Sequence, residues 1–249
     1  MEIPLFKVRA SASGLLMCDP KKTKTVYFFD ELEIATAKYN KFIDQALQSG
    51  DYSALSHLSV RKIETGEVLS ETTKTYCREW LTEQIYGYRK EIKNRYLDKG
   101  IIMEDDAIDS VISWLDLPFV MKNKDSFEDD YFTGTPDLII DELDRVDDTK
   151  CSWDCFTFPL FDDEIPTMDY FYQLQVYMHL TGKRHASVDY CLMNTPPALD
   201  YGEPKDYSKL DKKFRIKSYQ FDYDESVIDE LKMRIDLCRK YIESLIEKL

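Results

Sequence analysis

The sequence predicts an α/β protein whose mixed central sheet is flanked by helices. Helix-like and strand-like segments alternate in the order helix, strand, strand, strand, helix, strand, which is typical of one layered domain. A chain of 249 residues is long enough for a full core, and it carries 17 Tyr and 13 Phe. Only 8 Gly and 9 Pro argue against long flexible linkers. We therefore predict one domain with additions at both ends.

The N-terminal part predicts a short strand and two helices. Residues 25–29 are β-branched and aromatic, which favours a strand. A helix is expected over about 31–47, and residues 51–73 carry no regular pattern. A long charged helix is expected over about 75–98, ended by Gly100.

The central and C-terminal parts predict the elements around which a site can form. A helix over about 103–115 is indicated by Ile108, Val111, Ile112 and Leu115 at helical spacing. The predicted segments that follow are strands at 117–121, 133–140 and 145–151, a helix at 167–180, a strand at 187–194, a lysine-rich loop at 205–217, a strand at 214–221 and a helix at 224–249.

The net charge of −14 is unusual for a protein that approaches polyphosphate. The excess is concentrated, because residues 121–170 hold 4 Lys and Arg against 15 Asp and Glu. Residues 61–100 hold 9 basic and 7 acidic residues, and residues 205–217 hold 6 and 2. The last two segments are either phosphate-contacting surfaces or ordinary solvated faces.

The six cysteines and the lack of a long apolar run indicate a cytosolic protein. No CxxC pair is present, which favours reduced thiols over a zinc or iron–sulfur site. No apolar run is long enough to span a bilayer, and the N-terminus lacks the apolar segment of a signal peptide.

Two acidic residues and a lysine form the most informative pattern. Asp137 follows the turn-forming sequence Gly134-Thr135-Pro136, and Asp148 stands two residues before Lys150. On a strand, Asp148 and Lys150 point to the same face. Carboxylates can bind Mg²⁺, which prefers oxygen ligands, and the lysine can orient or deprotonate an attacking water. The pattern predicts a metal site suited to phosphodiester hydrolysis.

Four motifs in chain order resemble those of the PD-(D/E)xK nuclease superfamily, specifically its RecB-like and lambda-exonuclease-like branches. The motifs are Gly100-Ile101-Ile102-Met103-Glu104, Gly134-Thr135-Pro136-Asp137, Asp148-Thr149-Lys150 and the QxxxY sequence from Gln173 to Tyr177. The match spans roughly residues 85–195. It implies a restriction-endonuclease-like core there, a helical or irregular extension over 1–84, and a loop, strand and helix over 196–249.

The resemblance also implies the metal ligands. Asp137 and Asp148 would bind Mg²⁺ through carboxylate oxygens, with the Thr149 carbonyl as a backbone ligand, and Mn²⁺ would substitute. Glu104 would reach the site from its helix, directly or through water. From the residues alone, the alternatives are that Asp137 is only a turn aspartate and that Glu104 is a first-turn acid favoured by the helix dipole.

Three further residues have roles implied by the resemblance. Lys150 would position or activate the nucleophilic water, Gln173 would hydrogen-bond near the scissile phosphate, and Tyr177 would brace Gln173 or touch DNA. The alternatives are a solvated Gln173 and a core Tyr177. One departure concerns Asp147, whose side chain faces the other side of the strand. A buried, unpaired Asp147 would be costly, so that face is either solvated or Asp147 is paired.

The implied activity is that of a Mg²⁺-dependent DNA exonuclease acting from duplex ends in phage or mobile-element recombination or repair. The implied partners are DNA, further copies of the chain in a ring, and a single-strand annealing protein, in the host-cell cytoplasm if the chain is phage-encoded. An iron–sulfur nuclease is disfavoured, since Cys191 and Cys238 are isolated. The remaining alternative is a catalytically idle or inhibitory protein whose acidic surface mimics DNA.

Overall fold

A computed structural model describes residues 3–91, 94–199 and 205–249. The chain divides into two compact units, one formed by Asp19–Glu71 and the other by Met1–Cys18 with Thr72–Leu249. The strands are β1 Val8–Arg9, β2 Thr23–Phe29, β3 Leu32–Ile34, β4 Leu58–Glu64, β5 Phe127–Glu128, β6 Phe132–Gly134, β7 Leu138–Ile140, β8 Arg145–Cys151, β9 His185–Cys191 and β10 Ile216–Asp222. The helices are α1 Thr36–Ser49, α2 Glu71–Tyr86, α3 Arg95–Trp114, α4 Met168–Thr181 and α5 Glu225–Ile246.

The smaller unit is an antiparallel sheet, in the order β3-β2-β4, with α1 beside it. Phe29 of β2 stacks on Phe42 of α1 with ring centroids 4.9 Å apart. The expected strand at 25–29 lies within β2, but the helix expected from residue 31 begins five residues later. Asp30 and Glu31 both have positive φ and form the β2–β3 turn. The prediction that 51–73 is irregular was wrong, because β4 lies there.

The larger unit is built on a mixed four-stranded sheet in the order β10-β9-β8-β7. Strands β8 and β9 are parallel and are joined through α4, while β7 and β10 are antiparallel to their neighbours. A second sheet has the order β1-β6-β5, with β1 parallel to β6. The predicted α/β class with a mixed sheet flanked by helices is confirmed. That residues 1–249 act as one nuclease domain stays a prediction.

Helices α3 and α4 cover opposite faces of the four-stranded sheet. On the α3 side, Ile108 packs with Leu138 and Ile140 in the core. On the α4 side, the helix contacts β8 and β9, and its buried residues include Leu174, Val176, Tyr177 and Met178. Strand β8 therefore has Asp148 and Lys150 on the face toward α4, and Arg145 and Asp147 on the face toward α3.

The prediction of a single helix over 75–98 was wrong, because two helices occupy this part of the chain. Helix α2 ends at Tyr86, and Gly87 adopts the left-handed conformation (φ 71°) that ends helices. Helix α3 begins after Asn94, whose side chain accepts a hydrogen bond from the Tyr96 amide. Residues 92–93 of the predicted helix lie outside the described residues. Gly100 does not break a helix but lies inside α3.

The strand expected over 133–140 is broken into β6 and β7, which belong to different sheets. Pro136 lies in the break and has no amide hydrogen for a sheet. Residues 117–121 form no strand. By contrast, β8 has the predicted bounds, and α4, β9, β10 and α5 lie within a few residues of their predictions. The break places Asp137 directly before β7 and beside β8.

All six cysteines are free thiols. Within the described part of the chain, no helix is both long and apolar enough to cross a membrane.

Candidate active site

Asp137, Asp148 and Lys150 meet beside the antiparallel pair β7 and β8. Asp148 and Lys150 lie on the α4 face of β8, with the Lys150 Nζ 2.6 Å from the Asp148 Oδ2. The Asp137 Oδ2 accepts a hydrogen bond from the Thr149 amide at 2.7 Å. Because Leu138 is paired with Asp147 in the ladder, Asp137 falls beside Asp148. The β7–β8 register therefore brings the two carboxylates together.

Gln173 of α4 links these residues to the helix. Its Nε2 donates to the Asp148 Oδ1 and to the Tyr177 hydroxyl, both at 2.9 Å. Its Oε1 accepts from the Lys150 Nζ at 3.4 Å. Gln173 and Tyr177 are four residues apart and share one face of the helix. Gln173 is buried, so the solvated alternative is not what the structure shows.

Burial and mutual repulsion perturb the acidic groups. Burial, reinforced by the charge of Asp148, raises the pKa of Asp137 to about 7, against the opposing Thr149 amide and Lys150. Burial alone would lower the pKa of Lys150, but the adjacent Asp148 carboxylate raises it overall. In the metal-free site Lys150 is therefore an ammonium and Asp137 is partly protonated near neutral pH. Burial also raises the pKa of Tyr177, so its hydroxyl stays protonated.

Both carboxylate oxygens of Asp148 have partners inside the group. The buried Oδ2 is 2.6 Å from the Lys150 ammonium, and the Oδ1 accepts from Gln173. Among residues 3–91, 94–199 and 205–249, no three His, Cys, Asp or Glu side chains form a ligand group. A metal ion held here would depend on two carboxylates with backbone and water oxygens. That donor set fits Mg²⁺, which keeps several waters in proteins.

Glu104 lies apart from the hydrogen-bonded group. Its Oε1 is 2.8 Å from the Nζ of Lys122, and its side chain is 42% exposed. Its charge still reaches Asp137, where it helps to raise the pKa. The charge of Glu104 therefore acts on Asp137, while its carboxylate pairs with Lys122.

Comparison with known proteins shows which fold surrounds this site. No protein-family model matches the chain, and no curated protein matches it by sequence. A phage-related exonuclease from Haemophilus somnus 129PT is similar over 98% of this chain and 97% of its own, with 25% identity and a TM-score of 0.73. The chain has a phage-type exonuclease fold. The resemblance to lambda-exonuclease-like nucleases is confirmed at this level.

Two further solved structures share the exonuclease fold. The alkaline exonuclease LHK-Exo from Laribacter hongkongensis is similar over 98% of this chain and 91% of its own, with 13% identity and a TM-score of 0.61. The same exonuclease in complex with dAMP gives the same coverage, 16% identity and a TM-score of 0.59.

This chain has a second polar group on the opposite face of β8, and this group accounts for Asp147. Arg145 donates two hydrogen bonds of 2.7 Å to the Asp147 carboxylate, which is fully buried. Burial, reinforced by the charge of Asp189, raises the pKa of Asp147 to about 7. Ser187 donates to Asp189 at 2.9 Å. Asp147 is therefore paired, and Asp148 is the aspartate that faces Asp137.

Sequence reasoning missed two lysines that surround the site. Lys99 of α3 is fully buried and donates to the carbonyls of Ser152, Trp153 and Met193, each at 2.8 Å. It fixes the ends of β8 and β9 just beyond Lys150. Lys122, which engages Glu104, lies in a loop directly after the segment 117–121, where a strand was expected. No sequence motif identifies either lysine. The ion pair of Arg145 with Asp147, by contrast, is indicated by the sequence, because residues i and i+2 of a strand lie on the same face.

Proposed function

We propose that this chain is a Mg²⁺-dependent exonuclease that hydrolyses DNA phosphodiester bonds from duplex ends in phage or mobile-element recombination or repair. The observation that carries the proposal is the single hydrogen-bonded group of Asp137, Asp148, Lys150 and Gln173 within a fold shared with two exonucleases. A relative of that fold was solved with dAMP, a DNA mononucleotide. Nuclease activity on DNA is the function that fits both facts best.

In this proposal Asp137 and Asp148 hold one or two Mg²⁺ ions, with the Thr149 carbonyl and Glu104 as further ligands and Mn²⁺ as a substitute. A bound Mg²⁺ supplies a water of lowered pKa and a positive charge for the phosphoryl oxygens. Asp137 must lose its proton to become a ligand, so binding is expected to release a proton. The buried Asp148 Oδ2, which is paired with the Lys150 ammonium in the metal-free protein, would supply an oxygen for the same ion.

Lys150 would orient the attacking water and offset charge on the phosphate. Its ammonium is fixed by Asp148 and Gln173, and it lies 4.6 Å from the Tyr170 ring centre. Tyr177 fixes Gln173 in turn, because its hydroxyl accepts from the same amide. Tyr177 is thus a positioning residue. Gln173 fixes the positions of Lys150 and Asp148 relative to each other.

Further parts of the proposal concern the assembly. A ring of several copies would surround duplex DNA and direct the acidic outer surface away from it. A single-strand annealing protein would take up the strand that digestion exposes. The host-cell cytoplasm would be the place of action.

A non-catalytic DNA mimic remains the alternative because of the net charge of −14. Such a protein needs no half-buried lysine beside the buried Asp148 and the half-buried Asp137, an arrangement that costs desolvation energy. Metal binding measured by calorimetry separates the two, since a mimic needs no Mg²⁺.

The test is digestion of end-labelled linear duplex and of closed circular DNA with Mg²⁺, Mn²⁺ or EDTA. Lys150→Ala is compared with Lys183→Ala, whose lysine is similarly shielded, pairs with Asp141 at 2.7 Å and precedes β9 at the other end of the sheet. We expect metal-dependent loss of linear DNA only, abolished by Lys150→Ala and retained in the control. Cutting of circles would indicate an endonuclease. No cleavage by folded protein would favour the mimic.

A further inference from the structure

Lys122 is a partly exposed cation that pairs with Glu104, one of the proposed metal ligands. Its Nζ lies 2.8 Å from Glu104 and 2.7 Å from Asp105, and 30% of its side chain is exposed. Asp105 is largely exposed, so its pairing contributes little. Glu104 differs, because its charge also acts on Asp137. Lys122 is therefore coupled to the site through Glu104, whose carboxylate pairs with Lys122 and also acts electrostatically on Asp137.

The loop that carries Lys122 is fixed against the turn that carries Asp137. The Asn123 amide donates to the Asp137 carbonyl at 2.7 Å, and the Asn123 Nδ2 donates to the Pro136 carbonyl at 2.9 Å. The same Nδ2 donates to the Asp125 carbonyl, which closes the loop on itself. The backbone of Lys122 is thus held next to the Asp137 backbone, while its long side chain is free to change partner.

Two cations cannot share Glu104 without repulsion. A carboxylate that turns to a divalent ion loses its attraction for the lysine, and the lysine and the ion repel each other at short range. The ammonium would then keep only the exposed Asp105 as a partner and would be available to the proposed substrate, which carries one negative charge per phosphate. A lysine on a flexible stem is suited to such a point contact.

We propose that Lys122 is a substrate-binding residue with two partners: it neutralises Glu104 in the metal-free protein, and it contacts a DNA phosphate when the metal is bound. This inference rests on the proposed function. It predicts that the lysine competes with the metal before DNA arrives and assists DNA binding afterwards. A purely structural ion pair would do neither.

The first measurement is calorimetric titration of Mg²⁺ and of Mn²⁺ without DNA, using Lys122→Met and the matched Lys124→Met. Lys124 lies in the same acidic stretch, carries the same charge and is exposed. We expect Lys122→Met to bind metal about two- to fivefold more tightly, since a partly exposed ion pair is worth up to about a factor of five. Lys124→Met should change the affinity by less. In a Glu104→Gln background, Lys122→Met should have no effect.

The second measurement is anisotropy of a labelled duplex, in the Lys150→Ala background so that the DNA stays intact. With Mg²⁺, Lys122→Met should weaken binding about five- to tenfold near 0.1 M salt and reduce the slope of log K against log salt by about one. In EDTA it should leave binding unchanged, because Glu104 then holds the lysine. Thermal unfolding confirms that each variant is folded.

Specific results overturn the inference. Unchanged metal affinity in Lys122→Met, an equal effect of Lys124→Met, or the same loss of DNA binding in EDTA as in Mg²⁺ would each refute it. If the unsubstituted protein cleaves DNA and binds metal, such a result removes only the role of Lys122. If the unsubstituted protein neither binds metal nor cleaves, the proposed function and this inference both fail.

Discussion

Replacing Arg145 by Met tests the polar group on the face of β8 opposite the candidate site. Arg145 donates two hydrogen bonds of 2.7 Å to Asp147, whose side chain is fully buried and lies near the buried Asp189. The Arg145 guanidinium thus hydrogen-bonds Asp147 and also acts electrostatically on Asp189. The substitution leaves these acids without their cation, and methionine fills much of the same volume.

The magnitude follows from the burial. Removing one partner of a buried pair costs about 3–5 kcal/mol of unfolding free energy when the other stays charged. Asp147 can escape part of this cost by keeping a proton, because its pKa is already about 7 with Arg145 present. Without Arg145 its folded-state pKa rises further. Above pH 7 the variant retains a proton that the parent has lost, so the difference in stability grows by about 1.4 kcal/mol per pH unit.

The assay is urea unfolding followed by circular dichroism at pH 6, 7 and 8. We expect the loss in Arg145→Met to approach the full cost at pH 8 and to level off below pH 7. The double variant Arg145→Met/Asp147→Leu should recover most of it, since an apolar pair of similar volume is close to neutral. Arg184→Met, at an exposed arginine, is the control. A loss under about 1 kcal/mol at pH 8, or one independent of pH, would refute the reasoning.

Three further predictions concern the larger unit. Lys99→Met should cost about 3 kcal/mol in urea unfolding because three carbonyls lose a buried donor, whereas the exposed Lys240→Met should cost almost nothing; equal effects would contradict this. Gly134→Ala should cost about 1–3 kcal/mol and reduce DNA cleavage, since the added methyl would lie 2.8 Å from the Tyr177 ring; a stable, fully active variant would show that the ring can move. The metal-free protein should lose stability from about pH 4 to about pH 7, because the folded-state pKa of Asp137 is above its unfolded value. Mg²⁺, which requires the deprotonated carboxylate, should therefore raise the melting temperature more at pH 8 than at pH 6, and equal increases at both would count against Asp137 as a ligand.

The elements around the site were predictable because their signals are local. Strand β8 has its predicted bounds, and α1 and α4 end before Gly50 and Gly182, as the sequence indicates. The i, i+2 spacing correctly placed Asp148 and Lys150 on one face of β8. Whether the site residues act as proposed stays a prediction.

The errors came from features that single-residue propensities do not report. Gly100 was expected to end a helix, but inside α3 its cost is outweighed by the packing of Ile108 and Val111. Strand β4 was missed because its side chains are largely exposed and show no regular alternation. Glu104 matched a motif, yet its ion pair with Lys122 joins residues 18 positions apart, and no pattern in the sequence indicates that contact.

The parallel pairing of β1 with β6 has a consequence for the order in which the protein assembles. The contacts that join different elements of the candidate site link residues 12 to 25 positions apart, whereas β1 meets β6 through Val8 and Phe132, 124 positions apart. Closing the longer loop costs about 1.4 to 2.1 kcal/mol more in chain entropy. The β7–β8 hairpin and α4 are therefore expected to form first, and the N-terminal strand to dock onto the segment before Asp137 afterwards. In a newly synthesised chain, β1 would be made first but would be among the last elements to pair with its neighbouring strand.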